Sequence, residues 1–203
     1  MWGLVESGSI TKLINKPKGF VIGDIQYSRN IFSSRWTNAE REAIGIYEVE
    51  FDNSNKKDEQ WYINTNQSFA FAGGKITASY GSATPKAHAD TLWTAQDESD
   101  GKGTEGELAY RGLKYNLIQT VKQQANGLLS QTDWYVTRKS EKSTAIPSNI
   151  TTWRNGIRSK QAEMETAITN ASDTPALETL YTYTKQEDGS VTRPLGEFPV
   201  LES

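Results

Sequence analysis

Apolar residues recur at every third or fourth position in two stretches of this chain. The first runs through Leu113, Leu117, Val121, Ala125 and Leu128, the second through Ile150, Trp153, Ile157, Met164 and Ile168. A helix with 3.6 residues per turn brings each set onto one face, and Gln161 fills the one polar step of the second. Two amphipathic helices joined by a polar break predict an αα-hairpin. The first helix is expected to stop at Thr132-Asp133-Trp134. The second is expected to start after Pro147, capped by Ser148 or Asn149.

Upstream the period changes from 3.6 to 2. Tyr47, Val49 and Phe51 alternate with Glu48 and Glu50, and Ile76, Ala78 and Tyr80 repeat the pattern, which suits an antiparallel sheet with one buried face. Shorter strand candidates, Trp2–Glu6, Ile10–Ile14, Phe20–Ile22, Ile25–Tyr27, Trp61–Ile63 and Ser68–Phe71, are punctuated by Gly8, Pro17, Gly23 and Gly73-Gly74. Among them Thr37 and Glu40 stand at capping-box spacing ahead of Arg41-Glu42-Ala43, so a short helix is expected there, ending at Gly45.

Between the two regions, Pro85–Gln96 is expected to hold a short helix carrying Trp93. The stretch Asp97–Gly106, acidic and rich in glycine, reads as a loop. After the helices, Leu180–Thr184 and Val191–Arg193 flank Glu187-Asp188-Gly189-Ser190, a hairpin turn with glycine where positive φ is needed. Pro194 and Pro199 hold the last residues extended. The expected fold is α+β: a small antiparallel β-rich module (1–82), a linker (83–106), a helical hairpin (107–171), and a short β-hairpin with an extended tail (172–203).

Composition narrows the function classes. With 203 residues, 35% of them hydrophobic, the chain can bury a core, and no apolar run is long enough to cross a membrane. The first residues carry no basic stretch followed by an apolar one, so no secretory leader is expected. On that ground the triplets Asn66-Gln67-Ser68, Asn149-Ile150-Thr151 and Asn170-Ala171-Ser172 are chance matches to the glycosylation pattern. Cysteine is absent, which removes disulfide and thiolate chemistry and is compatible with a reducing compartment. A net charge of -3 with 22 basic and 25 acidic residues spread along the chain gives no basic patch for nucleic acid. Six tryptophans are the more telling number, since large rings concentrate in cores and at interfaces.

Catalytic constellations are missing. His88 is the only histidine, no Gly-x-Ser-x-Gly elbow surrounds any serine, and a metal would need further His or Cys ligands. The carboxylate pairs Asp58-Glu59, Asp97-Glu98 and Glu187-Asp188 lie in turn-like settings that do not raise a pKa. Gly101-Lys102-Gly103-Thr104 lacks the rest of a phosphate loop. Asp52–Asp58 lacks the glycine and closing glutamate of a calcium loop. No cofactor or metal is expected, and no enzyme.

What remains is Leu128–Arg158. Asp133 can accept N–H groups where the first helix ends, Trp134 can pack between the helices, and Arg154 and Arg158, one turn apart, can both reach Asp133. Asp133, Trp134, Arg154 and Arg158 then form a clasp. The same surface, with Trp153 and Phe198, is alternatively a site for a partner.

Leu128-Leu129-x-x-Thr132-Asp133-Trp134, then Pro147, then Trp153-Arg154-x-x-Ile157-Arg158 together resemble the shared tract of bacteriophage tail assembly chaperones and tail-fibre-associated proteins. In that family the second helix usually has Tyr for Trp153 and Leu for Ile157, and its Trp-Pro ending is represented here by Phe198-Pro199. The resemblance covers about residues 107–200. A looser likeness to amino-terminal modules of phage tail proteins extends over the first half, through Trp2–Val5, Ile22–Tyr27 and Ala43–Tyr47. It implies a non-enzymatic protein of an oligomeric assembly. The partners would be other tail or tail-fibre proteins, with no nucleic acid or membrane bound. It would reside in the virion tail or act in the host cytoplasm during assembly. The alternative from another class is a host-surface carbohydrate-binding module, using Trp61, Tyr62 or Trp93 as exposed platforms.

Overall fold

The computed structural model describes residues 1–65 and 67–201. Asn66, which opens one of the glycosylation triplets, and the last two residues of the extended tail lie outside the described residues. The chain is α+β and divides into two compact units, Met1–Thr84 and Pro85–Ser203.

The first unit is built on a five-stranded sheet. Its strands are β1 (Trp2–Glu6), β2 (Ser9–Ile14), β5 (Ile46–Asp52), β7 (Ser68–Ala72) and β8 (Lys75–Ser79). The order is β2-β1-β5-β8-β7. Two short strands, β3 (Phe20–Ile22) and β4 (Ile25–Tyr27), make a separate hairpin, and Tyr62–Ile63 is β6. The β1–β2, β1–β5 and β7–β8 pairs are antiparallel as expected, but β5 and β8 run parallel, Val49 opposite Ile76 and Phe51 opposite Ala78. The reason is burial. Ile76 and Ala78 are fully buried whereas no residue of β7 is, so β8 takes the interior position and its hairpin partner β7 the edge. The long 53–67 connection leaves the chain free to return for that arrangement.

Two clusters fill the unit. Leu4, Ile14, Phe20, Ile31 and Ile46 pack with Trp2, Phe32 and Trp36, while Val49, Ile76 and Ala78 pack with Tyr47, Phe69 and Phe71. The helix α1 (Asn38–Glu42) forms where its capping box is written: Thr37 Oγ1 accepts from Glu40 N, and Glu40 Oε2 accepts from Thr37 N at 2.7 Å. Arg41 ties it down by donating to the carbonyls of Ile31 and Trp36, both at 2.9 Å. Gly45 ends this region at φ +82, and a Cβ there would meet the Val5 carbonyl oxygen at 2.7 Å.

The second unit begins earlier than expected, because 85–106 is part of it rather than a linker. Thr91–Leu92 pairs with Leu108–Tyr110, and between them lies α2 (Ala95–Ser99). Trp93 precedes that helix instead of riding on it, with Gly103 closed against its ring. The helix reaches into the stretch expected to be loop because Thr94 and Asp97 form a second capping box. The carbonyls of Ala87 and His88 then accept from Leu113 N and Lys114 N, both at 3.0 Å, seating the start of α3 (Leu113–Ser130). Asp90 completes the seat by accepting from Gly112 N and from Arg111. Those two bonds, the backbone one first, hold its carboxyl below the usual range.

α3 packs on α5 (Ser148–Asn170) through the two stripes read from the sequence. Val121 and Ala125 of α3 and Ile150, Trp153, Ile157, Met164 and Ile168 of α5 are all buried, and Ala125 packs with Trp153 and Ile157 in one cluster. Each large side chain so buried contributes roughly 1.5–3 kcal/mol. Pro147 itself is the cap of α5 and no side chain caps it, so the Ser148 or Asn149 assignment is corrected: both lie inside the first turn.

Two further helices were not expected. α4 (Asp133–Lys142) occupies the polar break between the stripes, and α6 (Thr174–Tyr181) replaces the first part of the carboxy-terminal β region. Asp173 caps α6 by accepting from Ala176 N at 2.8 Å, Pro175 suits its first turn, and Leu177 is fully buried. The β-hairpin is therefore only Thr184–Lys185 against Val191–Thr192, turning at Gly189 with φ +85. The chain then runs back over α3 and α5.

Candidate functional site

The corner between α3 and α4 is closed by one guanidinium. Arg154, 7% exposed, donates through Nη1 to Leu129 O and to Thr132 Oγ1, each at 2.7 Å, and through Nη2 to Asp133 Oδ1 at 2.9 Å. Thr132 is buried and Asp133 largely exposed. A buried guanidinium needs its planar donors filled, and the corner presents three oxygens to it within five residues of chain. The clasp read from the sequence is therefore present with Arg154 and Asp133 as partners.

Its other two members are elsewhere. Arg158 is exposed and donates weakly to its own helix, at Arg154 O (3.4 Å) and Asn155 Oδ1 (3.5 Å). One helical turn carries it about 5.4 Å past the level of the corner. Trp134 does not pack between the helices. Thr132 takes the inner position, and Trp134, second residue of α4, is 51% exposed.

Trp134 is instead the outer member of a stack. Its ring lies 3.8 Å from that of Tyr135, tilted 30°, and the Arg138 guanidinium sits 4.8 Å and 5.1 Å from the two ring centroids. Arg138 is one turn after Trp134, so helical spacing delivers the cation to the π faces. Its Nε is buried and has no hydrogen-bond partner among the described residues, so ring contact is what holds it. Val136 is also exposed, Lys139 and Lys142 extend the basic side, and α4 has no buried residue. Ten residues are too few for a stable isolated helix in water. Its order depends on the clasp at Asp133 and on this stack.

The remaining candidates face inward. Trp153 is buried, and its Nε1 donates to Pro199 O at 2.8 Å. Phe198 and Leu201 pack with Leu128 and Leu129 on the cluster of Ala125, Trp153 and Ile157. Trp153 and Arg154 are thus buried within the chain itself, and Phe198 packs on the cluster that contains Trp153. The part open to a partner is Trp134 with Tyr135, Arg138 and the α4 lysines. Sequence reasoning missed Tyr135 and Arg138, although the spacing of Trp134 and Arg138 was available as a signal.

The glycan platforms are corrected as well. Trp61 and Tyr62 are each 3% exposed, leaving only Trp93, half-buried against Gly103. Among the described residues no group of three His, Asp or Glu side chains is placed to hold a metal ion, and no helix is long and apolar enough to cross a membrane. No protein-family model, curated protein or solved structure matches the chain.

Proposed function

We propose that the chain is a non-enzymatic bacteriophage tail protein working by protein–protein contact, as an adaptor of the tail or its fibres or as their assembly chaperone. The observation that carries the reading is the convergence of the residues behind the resemblance. Leu129, Thr132 and Asp133 lie more than twenty positions before Arg154, and all three are bonded to it. A Leu-x-x-Thr-Asp corner and an Arg in the second turn of α5 thus have a common physical purpose, which is to fix α4.

What α4 offers suits contact rather than chemistry. Trp, Tyr and Arg are the residue types that dominate interface energetics, and here they form one stack with Trp134 exposed, on a helix whose last turn carries two lysines. Partners are other tail or tail-fibre proteins in an oligomeric assembly. The chain resides in the virion tail or serves in the host cytoplasm while tails are built. Mass spectrometry of purified particles separates the two roles, because a resident protein is recovered at stoichiometric copy number and a chaperone is lost. Recovery of the chain solely with proteins unrelated to tails overturns both.

A further inference from the structure

The segment that covers Trp153 behaves as a bound ligand. From Leu195 to Leu201 the chain has no regular structure, yet it is seated along α5. Leu195 is buried and its N–H donates to Leu180 O at 3.0 Å, so the chain is fixed to that point. Gly196 comes next at φ +72, and beyond it Phe198, Pro199 and Leu201 reach the groove. The groove they occupy is the α5 surface around Trp153 and Gly156, and beside it an open hollow of about 470 Å³ remains, walled by that surface and by Pro199, Val200 and Leu201 of the segment itself.

Gly156 shows that the helix surface is shaped to this segment. Glycine inside a helix costs roughly 1 kcal/mol relative to alanine. Here it lies under Pro199, and an added Cβ would come 3.3 Å from Pro199 Cγ. The indole N–H of Trp153 supplies the directional contact by holding the Pro199 carbonyl. Together they read an extended Phe-Pro-Val-Leu sequence: a ring pocket, a flat seat for proline, an outward position for Val200, which is 85% exposed, and a second apolar site for Leu201.

We propose that this groove also accepts the Phe198–Leu201 segment of a second copy of the chain, so that neighbouring copies are linked by exchanged tails. A second copy carries the one sequence for which the groove is already shaped. The contacts made in exchange are the same as those made within one chain, so the two states differ mainly in entropy. A short tether presents the chain's own segment at millimolar effective concentration, which keeps dilute chains closed. Copies held side by side face each other at a similar concentration, and exchange then proceeds. The inference rests on the proposed tail role only for the setting in which copies are crowded.

The experiment uses two full-length variants. Phe198→Asp removes the ring anchor and vacates the groove while leaving it intact. Gly156→Leu puts a good helix former where Pro199 sits, which blocks the groove and frees the segment. Each alone is expected to sediment as a monomer, and an equimolar mixture at about 100 µM each to give a one-to-one complex, tenfold or more below the tethered concentration. Adding Trp153→Phe to the Phe198→Asp copy is expected to weaken that complex at least fivefold.

Should either variant fail to fold by circular dichroism, two single-cysteine chains take its place. Thr152→Cys and Val200→Cys, mixed under mild oxidation, can form a disulfide only between copies, and the absence of native cysteine removes background. A mixture that stays monomeric with folded variants, or cysteine chains that cross-link no faster than a control with cysteine at Glu59, overturns the proposal. Both tests need purified chains alone, so a negative result leaves the tail role standing.

Discussion

Replacing Arg154 by methionine keeps the aliphatic stem and deletes the guanidinium. Three acceptors lose a donor. Leu129 O keeps the bonds from Thr132 N and Thr132 Oγ1, both at 3.1 Å, so its loss is partial. Thr132 Oγ1, buried, loses a charge-assisted bond worth about 1.5–3 kcal/mol. Asp133 is 60% exposed and returns to water, which limits its share to about 0.5 kcal/mol. The methionine side chain recovers some apolar contact, so the net cost is about 2–3 kcal/mol. Asp133→Asn, by the same reckoning, costs under about 1 kcal/mol. Urea denaturation followed by far-ultraviolet circular dichroism measures the first quantity. Hydrogen exchange adds a local readout, since α4 has no buried residue and loses its anchor: amides of 135–142 are expected to exchange at least tenfold faster in Arg154→Met. Equal costs for the two substitutions, or a cost for Arg154→Met below about 0.5 kcal/mol, refute the view that a buried guanidinium holds the corner.

The geometry dictates three other outcomes. Gly45→Ala is expected to cost about 2–3 kcal/mol in the same denaturation assay, combining positive φ with the approach to Val5 O, whereas Gly73→Ala has open space and should cost about 1 kcal/mol. The Asp97 carboxyl is held down to about 2 by the Thr94 hydroxyl first, then by the Lys102 ammonium and the Thr94 N–H. Because its folded pKa lies below the unfolded value of 3.8, its contribution is complete above that pH and fades as pH falls through 3.8 toward 2. Carbon-13 NMR of the side chain should therefore show a midpoint near 2, and one near 3.8 contradicts the bond set. Trp153→Phe, which keeps a ring but loses the N–H to Pro199 O, is expected to cost about 1 kcal/mol and to speed proteolysis in 196–201, read by limited digestion and mass spectrometry.

The parts of this molecule visible in its sequence are those where one local signal acts alone. The α3 and α5 stripes are long and strongly periodic, and α1 carries its full capping box, so both were legible. α4 was not, because a helix with no buried face leaves no apolar period to read. α6 hid behind the alternation of Tyr181 and Tyr183, although Asp173 with Pro175 two residues later marks its start. The parallel pairing of β5 and β8 depends on which strand wins the interior, a competition that no single strand's pattern records. In the candidate site the charges were legible and their assignment was not. Choosing Arg154 over Arg158 requires the axial level of the corner, and turning Trp134 outward requires knowing that Thr132 has taken the inner place.

The central claim is that α4 is the face through which this chain engages tail components. Its most direct test is capture from an infected culture producing tagged full-length chain or its Trp134→Ala variant, with cross-linking at Lys139 and Lys142 and identification by mass spectrometry. Trp134 is exposed, so the variant should keep its stability within about 0.5 kcal/mol and differ only in contact. The account predicts cross-links from those lysines to tail or tail-fibre subunits, reduced at least tenfold by Trp134→Ala. Undiminished recovery in the variant, or the absence of any tail component from the wild-type capture, contradicts it.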